Sequence, residues 1–275
     1  MRGAQILLLT SNLSSSSNSL GYTLKEERSS SSPLTAVCIV SGGLDSICTA
    51  AYLKKVMGYD LYILTFLYGQ RASHEIQSAK KFSKLLKAKD HRIIDISFMK
   101  KIYGTSNALT YNKYDLPKNF DYSIVVPVRN AIFITIAAAW AMTVNAKLIA
   151  YGAHADDYRY PDCRPEFIKS VTDMLNIAES DGIKLGIRNK ITVWSPAVEE
   201  LDKSELLRIG YQILGDKIFG TWSCYSNGIK RRKIKYGYYK NNVFLQCGLC
   251  ESCINRKIAI SKAGIKDKTH YASNR

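Results

Sequence analysis

From Leu34 onward, short apolar runs alternate with amphipathic stretches, and this predicts an α/β fold: a doubly wound, mainly parallel sheet with helices on both faces and a small C-terminal four-cysteine lobe. Two further observations support it. A glycine turn joins the first strand to the first helix, and a cysteine triplet follows the point where the alternation stops, near Phe219. Strands are expected over Leu34–Val40, Leu61–Tyr68, Arg92–Ile96, Lys147–Tyr151 and Ile191–Trp194. Helices are expected over Asp45–Met57, where Ala50, Leu53 and Met57 share one face, and over Ser73–Leu86, Pro165–Glu179 and Lys203–Leu214. The run Ala131–Val144 is apolar for about 14 residues, short of the roughly 20 a membrane span needs, and reads as a buried helix. No membrane association is expected.

The chain has 275 residues, 46% hydrophobic and 23% charged, which suits a globular protein and excludes collagenous, coiled-coil and wholly disordered classes. Three segments follow: a serine-rich extension over 1–33, expected to be disordered, an α/β domain over 34–218 and a metal-binding lobe over 219–275. The net charge of +16 favours anionic partners without choosing among nucleic acid, nucleotide and small acid. The run Ile6–Leu9 is too short for a secretory signal core, and three crowded cysteines suit metal ligation in a reducing compartment, so a cytoplasmic location is expected.

Ser41-Gly42-Gly43-Leu44-Asp45-Ser46 ends the first strand at Val40 and opens the first helix. Unpaired N–H groups and the positive end of the helix dipole meet there, so the natural occupant is an anion. The glycines let the backbone approach phosphate oxygens, Ser41 and Ser46 add hydroxyls, and Asp45 either caps the helix or holds magnesium. The pattern lacks the Gly-Lys-Ser/Thr end of a Walker loop and the third glycine of a dinucleotide loop. It resembles the loop of the ATP pyrophosphatase superfamily, whose members activate substrates by attaching AMP and releasing pyrophosphate.

Cys224, Cys247, Cys250 and Cys253 offer four thiolates, the set a closed tetrahedral zinc site requires. An iron–sulfur cluster and free or disulfide-linked thiols stay open as alternatives. Four cysteine ligands leave no open position, so zinc here is structural.

Six ordered motifs extend the pattern. The phosphate loop is followed by Tyr68-Gly69-Gln70-Arg71, by Val126-Pro127-Val128-Arg129-Asn130 and by Tyr160-Pro161-Asp162-Cys163-Arg164-Pro165-Glu166-Phe167. Ser195-Pro196 with Lys203-Ser204-Glu205 comes next, then Thr221-Trp222-Ser223-Cys224-Tyr225 with the cysteine triplet. From Val37 to Lys257 the chain resembles the 7-cyano-7-deazaguanine (preQ0) synthase family, with its adenine nucleotide alpha hydrolase-like fold. The resemblance implies ATP-dependent conversion of 7-carboxy-7-deazaguanine and ammonium into the nitrile, through an adenylated carboxylate and an amide, for queuosine or archaeosine modification of tRNA. It implies a structural zinc ion, ATP as co-substrate with Mg2+, a homodimer and no direct contact with nucleic acid.

By the same resemblance, Val40 to Ser46 hold the nucleotide's phosphates, with magnesium near Asp45, and Lys203 neutralises their charge. Asp45, Lys203 and Arg129 are the expected catalytic residues. Arg71, Arg129 and Arg164 are forks suited to a carboxylate or phosphate. Asp162 or Glu166 would accept from the guanine-like N1–H and amine, and Tyr68 or Phe167 would stack on the base. Cys163 invites a covalent thioester, which adenylation makes unnecessary. Three departures stand out. Val128 replaces the family's usual glycine, so the backbone before Arg129 is expected to differ. His154-Ala155-Asp156-Asp157-Tyr158 matches only part of the substrate stretch, and His154 is left without a role. The 22 residues between Cys224 and Cys247 form a long insertion with six basic residues, Lys230 to Lys240. A tRNA-modifying relative acting directly on RNA, or a zinc module binding nucleic acid, would use that charge.

Overall fold

The structure is a computed structural model that describes residues 34–235 and 238–272; the serine-rich extension lies outside the described residues. Five strands, β1 (Thr35–Ile39), β2 (Asp60–Leu67), β3 (Asp90–Asp95), β4 (Leu148–Ala150) and β5 (Thr192–Trp194), form a parallel sheet in the order β3-β2-β1-β4-β5. Within β1, Val37 pairs with Tyr62 on one side and Ile149 on the other, so the strand is hydrogen-bonded along both edges. The helices are α1 (Leu44–Lys55), α2 (His74–Leu85), α3 (Met99–Tyr103), α4 (Arg129–Thr143), α5 (Pro165–Ala178), α6 (Ser180–Lys184), α7 (Lys203–Leu214) and α8 (Glu251–Lys262).

Period-two alternation sorts the strand side chains onto two faces. Val37, Ile39, Leu64, Phe66 and Ile149 turn toward α4 and α5, where Ile134, Ala137, Ala141, Ile168 and Val171 close one apolar layer. Ala36, Cys38, Val40, Leu61, Ile63 and Leu148 turn the other way, onto Ile47 and Ala51 of α1, Phe82 of α2 and Leu206 and Leu207 of α7. Both faces of β1 are thus dry, which is why its sequence is a continuous apolar run. The chain leaves β1 toward β2 and returns much later to β4 on the opposite edge. The loops that follow β1 and β4 therefore part, and a crevice opens over their carboxyl ends.

The C-terminal segment adds two elements that the sequence reading left unassigned. The basic insertion contains an antiparallel hairpin, β6 (Ile229–Lys235) with β7 (Tyr238–Leu245), and the cysteine triplet leads into α8. Ala259 and Ile260 of α8 join the same apolar cluster as α1 and α7, so the last helix is packed into the α/β core.

The segment before α4 holds a left-handed residue. Val128 is the N-cap of α4 with φ 49° and ψ 23°, the left-handed geometry that glycine adopts freely. The valine keeps this backbone at a cost of about 1–2 kcal/mol, its side chain exposed and unable to recover the cost by packing. Val128→Gly should therefore raise stability by about 1 kcal/mol once glycine's greater unfolded-chain entropy is subtracted. Urea denaturation measures this; an unchanged or lower midpoint would show that the left-handed residue carries no strain.

Candidate active site and metal centre

The crevice over β1 and β4 is a cleft of about 590 Å³. Its floor is the phosphate loop. Val40 N–H donates to Leu64 O (2.8 Å), which extends β1's pairing to the edge of the loop, and the chain then turns at Gly42 with φ +100°. A Cβ on Gly42 would lie 2.0 Å from the backbone O of Glu75. Its carbonyl accepts from Ser78 Oγ (2.7 Å) and Trp222 N–H (3.0 Å). Ser46 Oγ donates to Gly43 O (3.1 Å) and lies 3.2 Å from Ser41 Oγ, so both hydroxyls sit at the mouth of α1. Gly43 caps α1 without a side-chain bond, which leaves the first-turn N–H groups for a ligand. Leu44 is buried in the core and can offer only its backbone.

Charge gathers beside the loop. Lys203 opens α7, whose start is set by an Asp202–Glu205 capping box, and its Nζ lies 2.8 Å from Asp45 Oδ2. His154 Nε2 lies 3.8 Å from Asp45 Oδ1 and 3.4 Å from Asp157 Oδ2. Burial works against the Asp45 carboxylate, yet the Lys203 ammonium and then His154 hold it below the usual carboxylate range. Burial likewise opposes the Lys203 charge, and Asp45 and Asp157 overcome it. Asp157 goes the other way: burial, with Asp45 beside it, raises its pKa despite His154 and Lys203.

On the opposite wall, Arg129 lies at the start of α4, its guanidinium 5.6 Å from the Tyr68 ring centroid and 3.3 Å from the Tyr68 hydroxyl. Burial disfavours its charge, but Tyr68 and Asp162 more than compensate, and it stays cationic. Arg71 also lines the cleft, with Nη1 donating to Tyr114 O (2.7 Å) and Ala108 O (3.3 Å).

Val40, Ser41, Gly43, Asp45, Ser46, Arg71, Arg129 and Lys203 therefore share one cleft. Asp162, Arg164 and Glu166 are not among its lining residues. Asp162 Oδ2 accepts from Asn130 N–H (3.1 Å) at the start of α4, Arg164 is exposed with Nε donating to Tyr158 O (2.8 Å), and Glu166 is exposed on α5. Of the two proposed stacking rings, Tyr68 lines the cleft whereas Phe167 packs against the core. Cys163 is buried, and burial together with Asp157 and Asp162 pushes its thiol pKa up, so it stands as a neutral thiol.

Two cleft acids escaped the sequence reading. Glu75 lies in the first turn of α2 and Glu251 in the first turn of α8. Burial pushes Glu75 up to about 8, with Arg129 opposing. The available signal was position: Glu75 lies in the first turn of the helix that follows β2, and Glu251 sits between two metal-ligand candidates.

The four cysteines meet at one point, their Sγ atoms all within 4.8 Å of one another and those of Cys247 and Cys253 3.9 Å apart. Sulfurs on a tetrahedral zinc at about 2.3 Å lie about 3.8 Å from one another, so the set fits a single ion. A multi-iron cluster would spread its ligands wider. Backbone N–H groups of Leu249 and Cys250 point at Cys247 Sγ (both 3.4 Å), and that of Cys247 at Cys224 Sγ (3.3 Å), which favours thiolates.

A glycine-lined anion seat at the switch point of a 3-2-1-4-5 parallel sheet, with a lysine–aspartate pair beside it, defines a nucleotide-activating α/β enzyme of the pyrophosphatase-loop type. The family model described as Queuosine biosynthesis protein QueC matches residues 35–264, and the chain belongs to that family. It is 36% identical to the 7-cyano-7-deazaguanine synthase of Caldicellulosiruptor bescii, over 86% of this chain and 97% of that protein. Its identity to the enzymes of the same name from Desulfatibacillum aliphaticivorans and Coxiella burnetii is 37%, over 86% of this chain and 96% and 97% of theirs.

Glu75 gives a test of the cleft's burial. Between the ordinary glutamate value of about 4.3 and about 8, the folded chain holds a proton that the unfolded chain has released, so this group's contribution to stability falls as pH rises through that window. Glu75→Gln lacks the term. Its melting temperature relative to wild type should rise steadily from pH 5 to pH 9, and parallel pH profiles would show that the carboxyl titrates as in water.

Proposed function

We propose that this chain converts 7-carboxy-7-deazaguanine and ammonium into 7-cyano-7-deazaguanine, using ATP. The observation that carries the reading is that the anion seat and the half-buried Arg129, which forms no ion pair among the described residues, line one cleft, in a chain whose relatives carry that enzyme's name. A carboxylate is a poor acyl donor because oxide is a poor leaving group. Attack of its oxygen on the α-phosphorus of ATP forms a mixed anhydride and releases pyrophosphate. Ammonia then attacks the carbonyl carbon, the bond to AMP breaks, and the amide remains after proton loss. Activating the amide oxygen in the same way lets both remaining N–H protons leave as the nitrile forms.

Each residue's part follows from its place. The first-turn N–H groups of α1 with Ser41 and Ser46 cradle the departing pyrophosphate, and Lys203 shifts from Asp45 to the developing phosphate charge. Asp45 and the loop hydroxyls would hold magnesium, which neutralises phosphate charge when bound. Arg129 is the fork that aligns the organic acid for attack, with Arg71 beside it, and positioning supplies most of the acceleration. Asp162 acts indirectly in this reading, by holding the start of α4 and so Arg129. The metal is zinc, structural, one per chain, and the enzyme is a cytoplasmic homodimer acting on small molecules.

The decisive assay combines purified protein, magnesium, ATP, ammonium and 7-carboxy-7-deazaguanine and seeks the nitrile by mass. Nitrile is expected, and Lys203→Met should lose it by at least about 100-fold, the scale of one lost charge-stabilising donor. No nitrile, with tRNA-stimulated ATP turnover instead, would overturn the reading. Metal analysis of the same sample should give one zinc per chain, and its removal by a chelator under mild denaturant should lower the melting temperature. A chain that melts identically without metal would refute the structural role.

A further inference from the structure

The phosphate loop and Arg129 account for the nucleotide and the acid group, but not for a further buried carboxylate that lines the same cleft. Glu251 is only 6% exposed and yet lines that cleft. It opens α8 directly after Cys250, the helix N-cap, and its backbone N–H donates to Pro117 O (2.8 Å), so the cysteine knot fixes where it stands. Asn255 Nδ2 donates to Oε1 (2.5 Å), and the Tyr225 hydroxyl is its second neighbour. Among the described residues no cation forms an ion pair with it. Its hydrogen-bond donors are neutral, with the Lys203 ammonium acting on it without an ion pair, and a buried carboxylate so held retains lone pairs for further donors.

The rings that line the cleft together with Glu251 and Arg129 indicate the shape of the ligand. Tyr160 and Tyr225 share that cleft with both residues and, with Phe120, pack against one apolar cluster. Tyr160 is braced edge-on by Phe120, with centroids 5.4 Å apart. The complementary molecule is flat, bears an anion at one end and presents hydrogen-bond donors at the other. A guanine-type ring carrying an acid has that form, because its N1–H and exocyclic amine project side by side and match the two oxygens of one carboxylate. An adenine-type edge replaces the N1 donor with a lone pair, which a carboxylate repels.

On the strength of the function proposed above, we infer that Glu251 is the specificity-determining residue for the ring: its carboxylate reads the N1–H and 2-amino group of the deazaguanine acid while Arg129 holds the acid group, and the metal knot sets its position. The role of the knot is then to place this carboxylate, and the metal takes no part in the chemistry.

The test compares 7-carboxy-7-deazaguanine with 7-carboxy-7-deazahypoxanthine, which lacks only the 2-amino group. Wild type should prefer the guanine acid by about 100-fold or more in kcat/KM, because the analogue leaves a buried acceptor unpaired. Glu251→Gln should raise KM for the guanine acid by about 10- to 100-fold, leave KM for ATP unchanged and collapse the preference, while Glu251→Asp restores part of it. Zinc content and melting temperature verify that each variant is folded. Because Glu251 adjoins a metal-ligand candidate, equilibrium binding of the two acids to unmodified wild type gives an independent readout, with at least about tenfold tighter binding of the guanine acid expected. Equal binding by wild type, an undiminished preference in Glu251→Gln, or equal loss of ATP and acid affinity in that variant would overturn the inference. Failure of wild type to convert the guanine acid at all would instead overturn the function on which it rests, so the two failures are distinguishable.

Discussion

Everything in the active cleft depends on the lack of a side chain at Gly42. Three segments distant in sequence converge there: the loop itself, the opening of α2 through Glu75 O and Ser78 Oγ, and the Thr221–Cys224 lead-in through Trp222 N–H. A Cβ would meet the Glu75 carbonyl at 2.0 Å, so the convergence is possible only with glycine. The Gly42 carbonyl, tied on two sides, points away from the ligand, and the N–H groups of the next turn are left to face it. Arg256 secures the same lead-in from below. Its wholly buried guanidinium donates to Thr221 Oγ1 (2.7 Å), Ser223 Oγ (3.1 Å) and Thr269 Oγ1 (3.2 Å). The phosphate seat and the cysteine knot are therefore joined through a few covalent and hydrogen-bonded steps.

The charge pattern of the cleft differs from that of the chain. A net charge of +16 suggests a surface that attracts anions generally, whereas the cleft interleaves cations with acids. The lysine nearest the phosphate seat is already paired with Asp45. A phosphate that takes the ammonium displaces a carboxylate from it, so the gain on binding is a difference between two ion pairs in the same low-dielectric site. In the proposed reaction such an exchange would moderate affinity for the pyrophosphate that has to leave and would free Asp45 for a cation accompanying the nucleotide. Arg129 is arranged differently: it lies over the Tyr68 ring, donates Nη1 to the Tyr68 hydroxyl, and stands near a carboxylate already engaged by Asn130, with no ion pair among the described residues.

How much of this was legible in the sequence varied with the range of the interaction. The parallel sheet was readable because strand and helix periods alternate locally, and the anion seat because Gly42, Gly43 and the helix they open are contiguous. The four cysteines were readable because two-residue gaps bend around one ion. Asp162 was harder: its carboxylate acts as an external cap for α4, bonding Asn130 32 positions away, and only the folded chain shows that pairing. Val128 was read as a change of backbone, and in the folded chain it is the residue that carries the left-handed geometry at the N-cap of α4.

Glu75 and Glu251 were missed for a reason intrinsic to helices. An acid in a helix's first turn is the ordinary choice, since it faces the positive end of the dipole. Nothing local separates an acid placed for that purpose from one placed for a ligand. The distinction appears only once the helix is docked, when a capping acid stays solvated and a ligand-reading acid is buried with unfilled acceptor capacity. Both glutamates depart from the solvated kind: each lines the cleft, and burial is the first cause of its raised pKa. Two helices thus present their opening turns to one cavity. The topology that sends α2 out after β2, and α8 on from the cysteine knot, brings two commonplace residues into one cleft.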